Sequence, residues 1–317
     1  MNFSTDLADE RRDIYRKANK LEDEIPGIEA EDYSEGDNIK VSRVKIVSEE
    51  GEKAIGKPKG TYVTIYLKKL KIAGDEEIEQ AAEVAAKELK PILDRHVESI
   101  EDILVVGLGN MQVTPDALGP KVAQGIDITR HIINYMPQYI DKSARPVSAV
   151  APGVLGTTGI ETLEILKGIV DNIKPKLMIV IDSLASKSIE RISSTIQIAD
   201  TGIVPGAGVG NKRSELSINT LGIPVIAIGV PMVVEAATII SDGLDLFAEK
   251  IREQMENNVG EDESTHSLYD LIQKLENEDK YEMIKQVLVP ADYNLIVTPK
   301  EIDDLIENMS KVVSKRN

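Results

Sequence analysis

From residue 103 to about residue 247 the chain repeats one pattern: a short apolar run, a glycine-bearing loop, then a helical stretch. The runs fall at 103–109, 147–151, 176–182, 195–199 and 224–230, and the helical stretches at about 116–135, 158–173 and 232–257. Runs that are apolar throughout read as strands covered on both faces, and helices between successive strands supply the crossovers that parallel pairing requires. The pattern predicts an α/β fold: a mostly parallel twisted sheet with helices on both faces. Sheets of this class collect their chemistry at the carboxyl ends of the strands. Two aspartates stand there. Asp116 follows Ile103-Leu-Val-Val-Gly-Leu-Gly109, and Asp182 closes Leu177-Met-Ile-Val-Ile181.

Each aspartate also has a purely structural reading. Asp116, in Thr114-Pro-Asp116-Ala-Leu-Gly119-Pro120, suits a helix N-cap or first-turn position, where the helix dipole favours a carboxylate. Asp182, before Ser183-Leu-Ala-Ser186, reads as the N-cap of a short helix. The structural and catalytic readings are compatible, because a cap holds a carboxylate where catalysis needs one. Two carboxylates in one pocket suggest acid/base hydrolysis.

Two glycine-rich loops follow strands on the same predicted edge. One carries Gly153, Gly156 and Gly159, the other Gly206, Gly208 and Gly210. Such loops let backbone N–H groups approach a substrate and hold a developing oxyanion; each also reads as a long turn. The second lacks the Gly-Lys-Ser/Thr ending of a phosphate loop, and Gln112 stands where a dinucleotide fingerprint after Gly107-Leu-Gly109 needs its third glycine. His96, His131 and His266 are widely spread, and no nucleophile-elbow sequence supports a Ser-His-Asp triad.

Around this core, Val41–Val47 and Thr61–Leu67 alternate apolar and polar residues across a Gly/Pro/Lys-rich stretch at 51–60, which predicts an N-terminal antiparallel hairpin at a sheet edge. A helix is expected from Gly74-Asp75 onward, with Pro91 kinking or ending its first segment. Residues from about 256 to 283 are charge-dense and read as a surface insertion. Thr298-Pro-Lys-Glu301 has the form of a capping box, and a closing helix at about 299–315 should dock on the body of the protein.

Composition removes whole classes of function. The chain of 317 residues has a formal charge of −17 and a pI near 4.8, which argues against direct nucleic-acid binding. It contains no cysteine, so thiol nucleophiles, disulfides and thiolate metal sites are absent. No apolar run approaches the length of a membrane span, no signal-peptide pattern opens the chain, and a cytoplasmic location is expected.

Three stretches carry a family resemblance: VVGLGNMQVTPDALGPKV, APGVLGTTGIETLEILKGIV and IDSLASKSIERISSTIQIADTGIVPGAGVGNKR. Together they closely resemble the germination protease family of spore-forming bacteria, endopeptidases that degrade small acid-soluble spore proteins. The resemblance implies an atypical aspartic-type endopeptidase without a cofactor, whose two aspartates map onto Asp116 and Asp182. It further implies a homotetrameric zymogen in the spore core that cuts its own N-terminus. Ser4-Thr5-Asp6-Leu7-Ala8-Asp9-Glu10 is similar to the family's substrate pattern: an acidic residue, a large apolar one, Ala, a variable residue and Glu. Self-cleavage is thus expected between Asp6 and Leu7, with residues 1–6 as a propeptide shorter than is usual and 7–317 as a single peptidase domain. The competing reading of this segment is an ordinary N-terminal helix capped at Ser4 or Thr5. The fold also resembles that of the hydrogenase maturation endopeptidases, in which two acidic residues and a histidine hold nickel. Here the next histidine after Asp182 is His266, inside the charged insertion, which weakens a metal-dependent alternative. A silent binding scaffold, its aspartates serving only as caps, is the remaining alternative.

Overall fold

The structure, a computed structural model, describes residues 5–68, 74–97, 101–206, 213–257, 283–284, 286–288 and 295–315. Its strands are β1 (Ile28–Glu35), β2 (Ile39–Ile46), β3 (Gly60–Leu67), β4 (Ile103–Gly107), β5 (Val147–Val150), β6 (Leu177–Ser186), β7 (Thr195–Ala199), β8 (Val225–Glu235) and β9 (Ile296–Val297). The helices are α1 (Ala8–Ala18), α2 (Glu49–Ile55), α3 (Asp75–Leu93), α4 (Leu118–Gly125), α5 (Arg130–Tyr135), α6 (Leu155–Thr158), α7 (Thr162–Ile173), α8 (Ile218–Leu221), α9 (Ala236–Asn257) and α10 (Ile302–Ser314). The chain divides into two compact units, one of residues 1–186, 190–233 and 298–317, the other of 187–189 and 234–297.

In the larger unit the strand order is β1-β2-β3-β7-β8-β6-β4-β5. Pairing of β4 with β5 and with β6 is parallel, whereas β1–β2, β2–β3, β3–β7 and β7–β8 are antiparallel. The sheet is therefore mixed, which corrects the expectation of a mostly parallel one. An apolar run records that a strand is covered on both faces and says nothing of its direction. Helices do lie on both faces, because β-strand side chains alternate. Ile103 and Val105 of β4 face a core shared with α3, α4 and α10, while Leu104 and Val106 face one shared with α7 and α8. Leu177 and Ile181 against Met178 and Val180 divide β6 in the same way.

The hairpin expected at the N-terminus is a longer antiparallel meander. The first half of the 51–60 stretch is the end of helix α2, capped by the Ser48 hydroxyl and ended by Gly56 in the left-handed region, and β1 lies outside β2 as the true edge. Buried Glu88 of α3 ties that helix to the meander, accepting from Arg43 Nε at 2.8 Å and from Tyr33 Oη at 2.7 Å. Pro91 is absorbed in the last turn of α3. The helix expected at 116–135 is broken into α4 and α5, separated at Ile126 by extended backbone.

No capping box forms before α10: the Thr298 hydroxyl donates to the Met232 carbonyl at 3.0 Å. The helix still docks, burying Ile302, Leu305, Ile306, Met309 and Val312. In the smaller unit, Val234 and Glu235 at the end of β8 pair with β9, and α9 follows. Most of the charged stretch expected as an insertion lies outside the described residues. No described helix is long and apolar enough to cross a membrane.

Candidate active site

β4 ends at Gly107, paired with Ile181 of β6, and β6 runs on to Ser186. The residues after Asp182 are thus extended strand and not the short helix expected there. Asp182 is the first residue past the shared ladder, and it is buried.

Asp116 is brought to the same place by a tight loop that admits only glycine at two points. At Gly109 the backbone has φ +115°, and a β-carbon would stand 2.0 Å from the Asp116 carbonyl oxygen. At Gly119, in the first turn of α4, a β-carbon would meet the Leu108 and Ile181 carbonyl oxygens at 2.2 and 2.6 Å. The start of α4 is pressed against the residue after β4 and against β6 at Ile181, and the short 310 turn Thr114–Asp116 ahead of it holds Asp116 there. The Asn110 N–H donates to Asp116 Oδ2 at 2.8 Å.

Asp182 feels the charge of Asp116. Burial pushes Asp182 well above the usual carboxylate range, and the neighbouring charges of Asp116 and Asp6 push it further; the Ser183 N–H, 2.9 Å from its Oδ1, and Arg213 oppose them. Burial also raises Asp116, against the Asn110 N–H and Arg213. Asp182 is the more buried and loses more solvation on ionising.

The N-terminal segment lies along the extension of β6. The Asp6 N–H donates to the Ala185 carbonyl and the Ala185 N–H to Asp6 Oδ2, both at 3.1 Å. From β7, Gln197 reaches both sides of Leu7: its Nε2 donates to the Asp6 carbonyl at 3.2 Å, and its Oε1 accepts from the Ala8 N–H at 2.7 Å. Leu7 is fully buried, with extended backbone (φ −82°, ψ 127°), and α1 begins at the next residue. The segment is therefore both extended chain and helix, the turn from one to the other falling at Leu7. It is not capped by Thr5 in the expected sense, since the Thr5 hydroxyl accepts from the Leu7 N–H, ahead of the helix. Beside Asp6 lies a cavity of about 160 Å³ whose walls include Arg11, Lys57, Tyr62 and Leu184. Burial, with Arg11 nearby, pushes the Lys57 amine down to about 8.

The glycine loops are less telling. Gly153 and Gly159 flank the exposed turn α6, which contains Gly156 and whose polar groups bond within the loop: the Val154 carbonyl accepts from both the Thr157 and Thr158 hydroxyls. Gly206 has φ +72°, and Gly208 and Gly210 lie outside the described residues. His96 and His131 are exposed, and His266 lies outside the described residues. Among the described residues no group of three or more His, Cys, Asp or Glu is arranged to hold a metal ion.

Sequence reasoning missed Gln197, Arg191 and Arg213. Gln197 carried a signal, a long polar side chain inside an otherwise apolar run that is buried throughout. Such an arrangement, a buried carboxyl pair next to a strand edge that already holds extended chain, can bind a peptide and activate water beside it.

Comparison with known proteins places the chain in a class and then in a family. A family model described as germination protease matches residues 5–258 and 246–316. The germination protease of Clostridium tetani is 45% identical over 314 residues, 99% of this chain and 94% of that protein. The proteins of the same name from Caldanaerobacter subterraneus and Priestia megaterium are 47% and 43% identical, over 99% and 98% of this chain and 93% and 91% of theirs. A solved structure, the [NiFe] hydrogenase maturation protease HycI of Thermococcus kodakarensis, is 20% identical with a TM-score of 0.30, over 44% of this chain and 80% of that one, a likeness too slight to bear on the argument. The class is that of peptidases, which are hydrolases. The chain belongs to the germination protease family.

Proposed function

We propose that the chain is an endopeptidase that opens the degradation of small acid-soluble spore proteins during germination, and that Asp116 and Asp182 are its catalytic pair. The observation that carries this reading is the burial of Asp182 close to Asp116, on a strand edge that holds an extended segment. In this mechanism Asp182 enters protonated and Asp116 ionised, since the group that loses more on ionising keeps the shared proton. Asp116 takes a proton from water, and the hydroxyl adds to the scissile carbonyl carbon. Gln197 Nε2 donates to the carbonyl oxygen as it gains charge, and Asp182 passes its proton to the leaving nitrogen. The products are a new carboxyl and a new amine, with no cofactor consumed.

The same site acts on its own chain. Residues 1–6 are a propeptide removed by a cut between Asp6 and Leu7, which leaves 7–317 as a single peptidase domain. The docking of that bond between Ala185 and Gln197 supports this assignment. The working form is a homotetramer in the cytoplasm of the spore core, acting on protein and not on nucleic acid or membrane.

The test is a peptide containing Thr-Glu-Ile-Ala-Ser-Glu, incubated with wild type, Asp116→Asn and Asp182→Asn. Wild type should cut between Glu and Ile, and each variant should lose about 10³-fold or more in kcat. Undiminished cleavage by either variant overturns the pair.

A further inference from the structure

The contacts around Leu7 explain how the main chain is held, but not how one sequence is preferred to another. Main-chain clamps such as Gln197 read no side chain. The side chains that follow the Asp6–Leu7 bond meet one cation. Arg191, in the turn between β6 and β7, stands 2.6 Å from Asp9 Oδ2 through its NH1 and 3.0 Å from Glu10 Oε1 through its Nε. All three are substantially buried, with Asp9 and Glu10 exposed by only 3% and 6%. Arg191 is itself fixed over the Tyr66 ring, 4.8 Å from its centre, and the Thr64 hydroxyl donates to Asp9 Oδ1 at 3.2 Å.

We infer that Arg191 is the specificity-determining residue of the cleft: it is the group that reads the acid which the family pattern carries at the fourth position beyond the cut bond, and it favours an acid over a neutral residue at the third, which that pattern leaves variable. The inference rests on the proposed self-cleavage at Asp6–Leu7. The geometry adds a shape requirement. Ala8, Asp9 and Glu10 form the first turn of α1, so two consecutive acids reach one guanidinium because they project from a helical turn. A substrate recognised in the same way is extended up to the residue after the cut and helical from the next. Acids in a first helical turn are themselves favoured by the dipole, so the sequence that satisfies Arg191 also favours the shape. A guanidinium fork that meets two carboxylates out of water discriminates strongly, because a neutral amide leaves its N–H groups without charged partners. After the cut the enzyme's own turn keeps these contacts together with the Ala8 N–H bond to Gln197, and an incoming segment with the same acids competes for them.

The test uses two peptides, Ser-Thr-Asp-Leu-Ala-Asp-Glu-Arg and its counterpart with Asn-Gln in place of the second Asp and the Glu. Rates are measured with wild type, Arg191→Gln and Arg191→Lys. Wild type should prefer the acidic peptide about tenfold or more in kcat/KM. Arg191→Gln should reduce the preference below about twofold, and Arg191→Lys should restore part of it. The wild-type preference needs no variant, so its absence overturns the assignment even if Arg191→Gln fails to fold. A full preference surviving in Arg191→Gln overturns it equally. Binding of dye-labelled peptides, read by anisotropy, needs no turnover. Acid-dependent binding lost in Arg191→Gln supports the assignment even if neither peptide is cut, a result that would count against the proposed function alone. Equal binding of both peptides to wild type overturns the assignment.

Discussion

At the residue scale one proton, on Asp182, sets the chemistry proposed for the pair. Asp182 is a buried carboxyl whose folded pKa lies above its unfolded one, so the folded state binds that proton more tightly. Its contribution to stability is present at low pH and is lost as pH rises through the folded pKa. Asp182→Asn, which cannot ionise, should therefore melt a few degrees higher than wild type at alkaline pH, with the gap closing as the pH is lowered, read by calorimetry. A gap that widens on acidification would contradict the sign. The same proton should make kcat fall on the alkaline side as Asp182 ionises. Arg213 holds both carboxyls down, so Arg213→Gln should move both limbs of the pH–rate profile upward. Gln197→Leu should lower kcat by about 10²-fold, the usual cost of removing one donor to a developing oxyanion. That Asp116 and Asp182 come together was legible from their places after the apolar runs that pair as β4 and the first half of β6. Gln197 stood out in sequence only as a polar residue in a buried run, and its partner was not legible, because the Asp6 carbonyl is 191 residues away in sequence.

At the element scale, the site exists because β6 outruns β4 while α4 is pressed onto both. Gly119 allows that approach, and Gly109 turns the loop back over it. Gly119→Ala or Gly109→Ala should cost about 3 kcal/mol or more in urea unfolding, since the new methyl meets backbone that cannot swing away. Loss of activity without loss of stability would mean that the glycines serve catalysis by another route. Much at this scale was readable: β7 falls on residues 195–199 as expected from its apolar run. Its antiparallel place between β3 and β8 was not readable, because covering both faces of a strand makes it apolar whichever way it runs. β1 escaped notice for the opposite reason. As an edge strand it buries only Ile28 and otherwise shows charge, which suits an edge that must resist pairing with other chains.

At the scale of the whole molecule, the segment from Asp6 to Ala8 is held by Ala185 and Gln197, with Leu7 fully buried and worth about 1.5–3 kcal/mol of docking. Self-cleavage should then be first order, with a half-time unchanged on dilution, whereas cutting between molecules would slow in proportion. The family was legible from long motifs, and the docked segment gives that resemblance a physical form it lacked in sequence. The most direct measurement is the intact mass of the full-length chain during incubation, for wild type and Asp182→Asn together. Wild type should lose residues 1–6 and begin at Leu7, while Asp182→Asn stays whole. A new N-terminus elsewhere, or Leu7 appearing in Asp182→Asn at the wild-type rate, would contradict the aspartate pair and its bond.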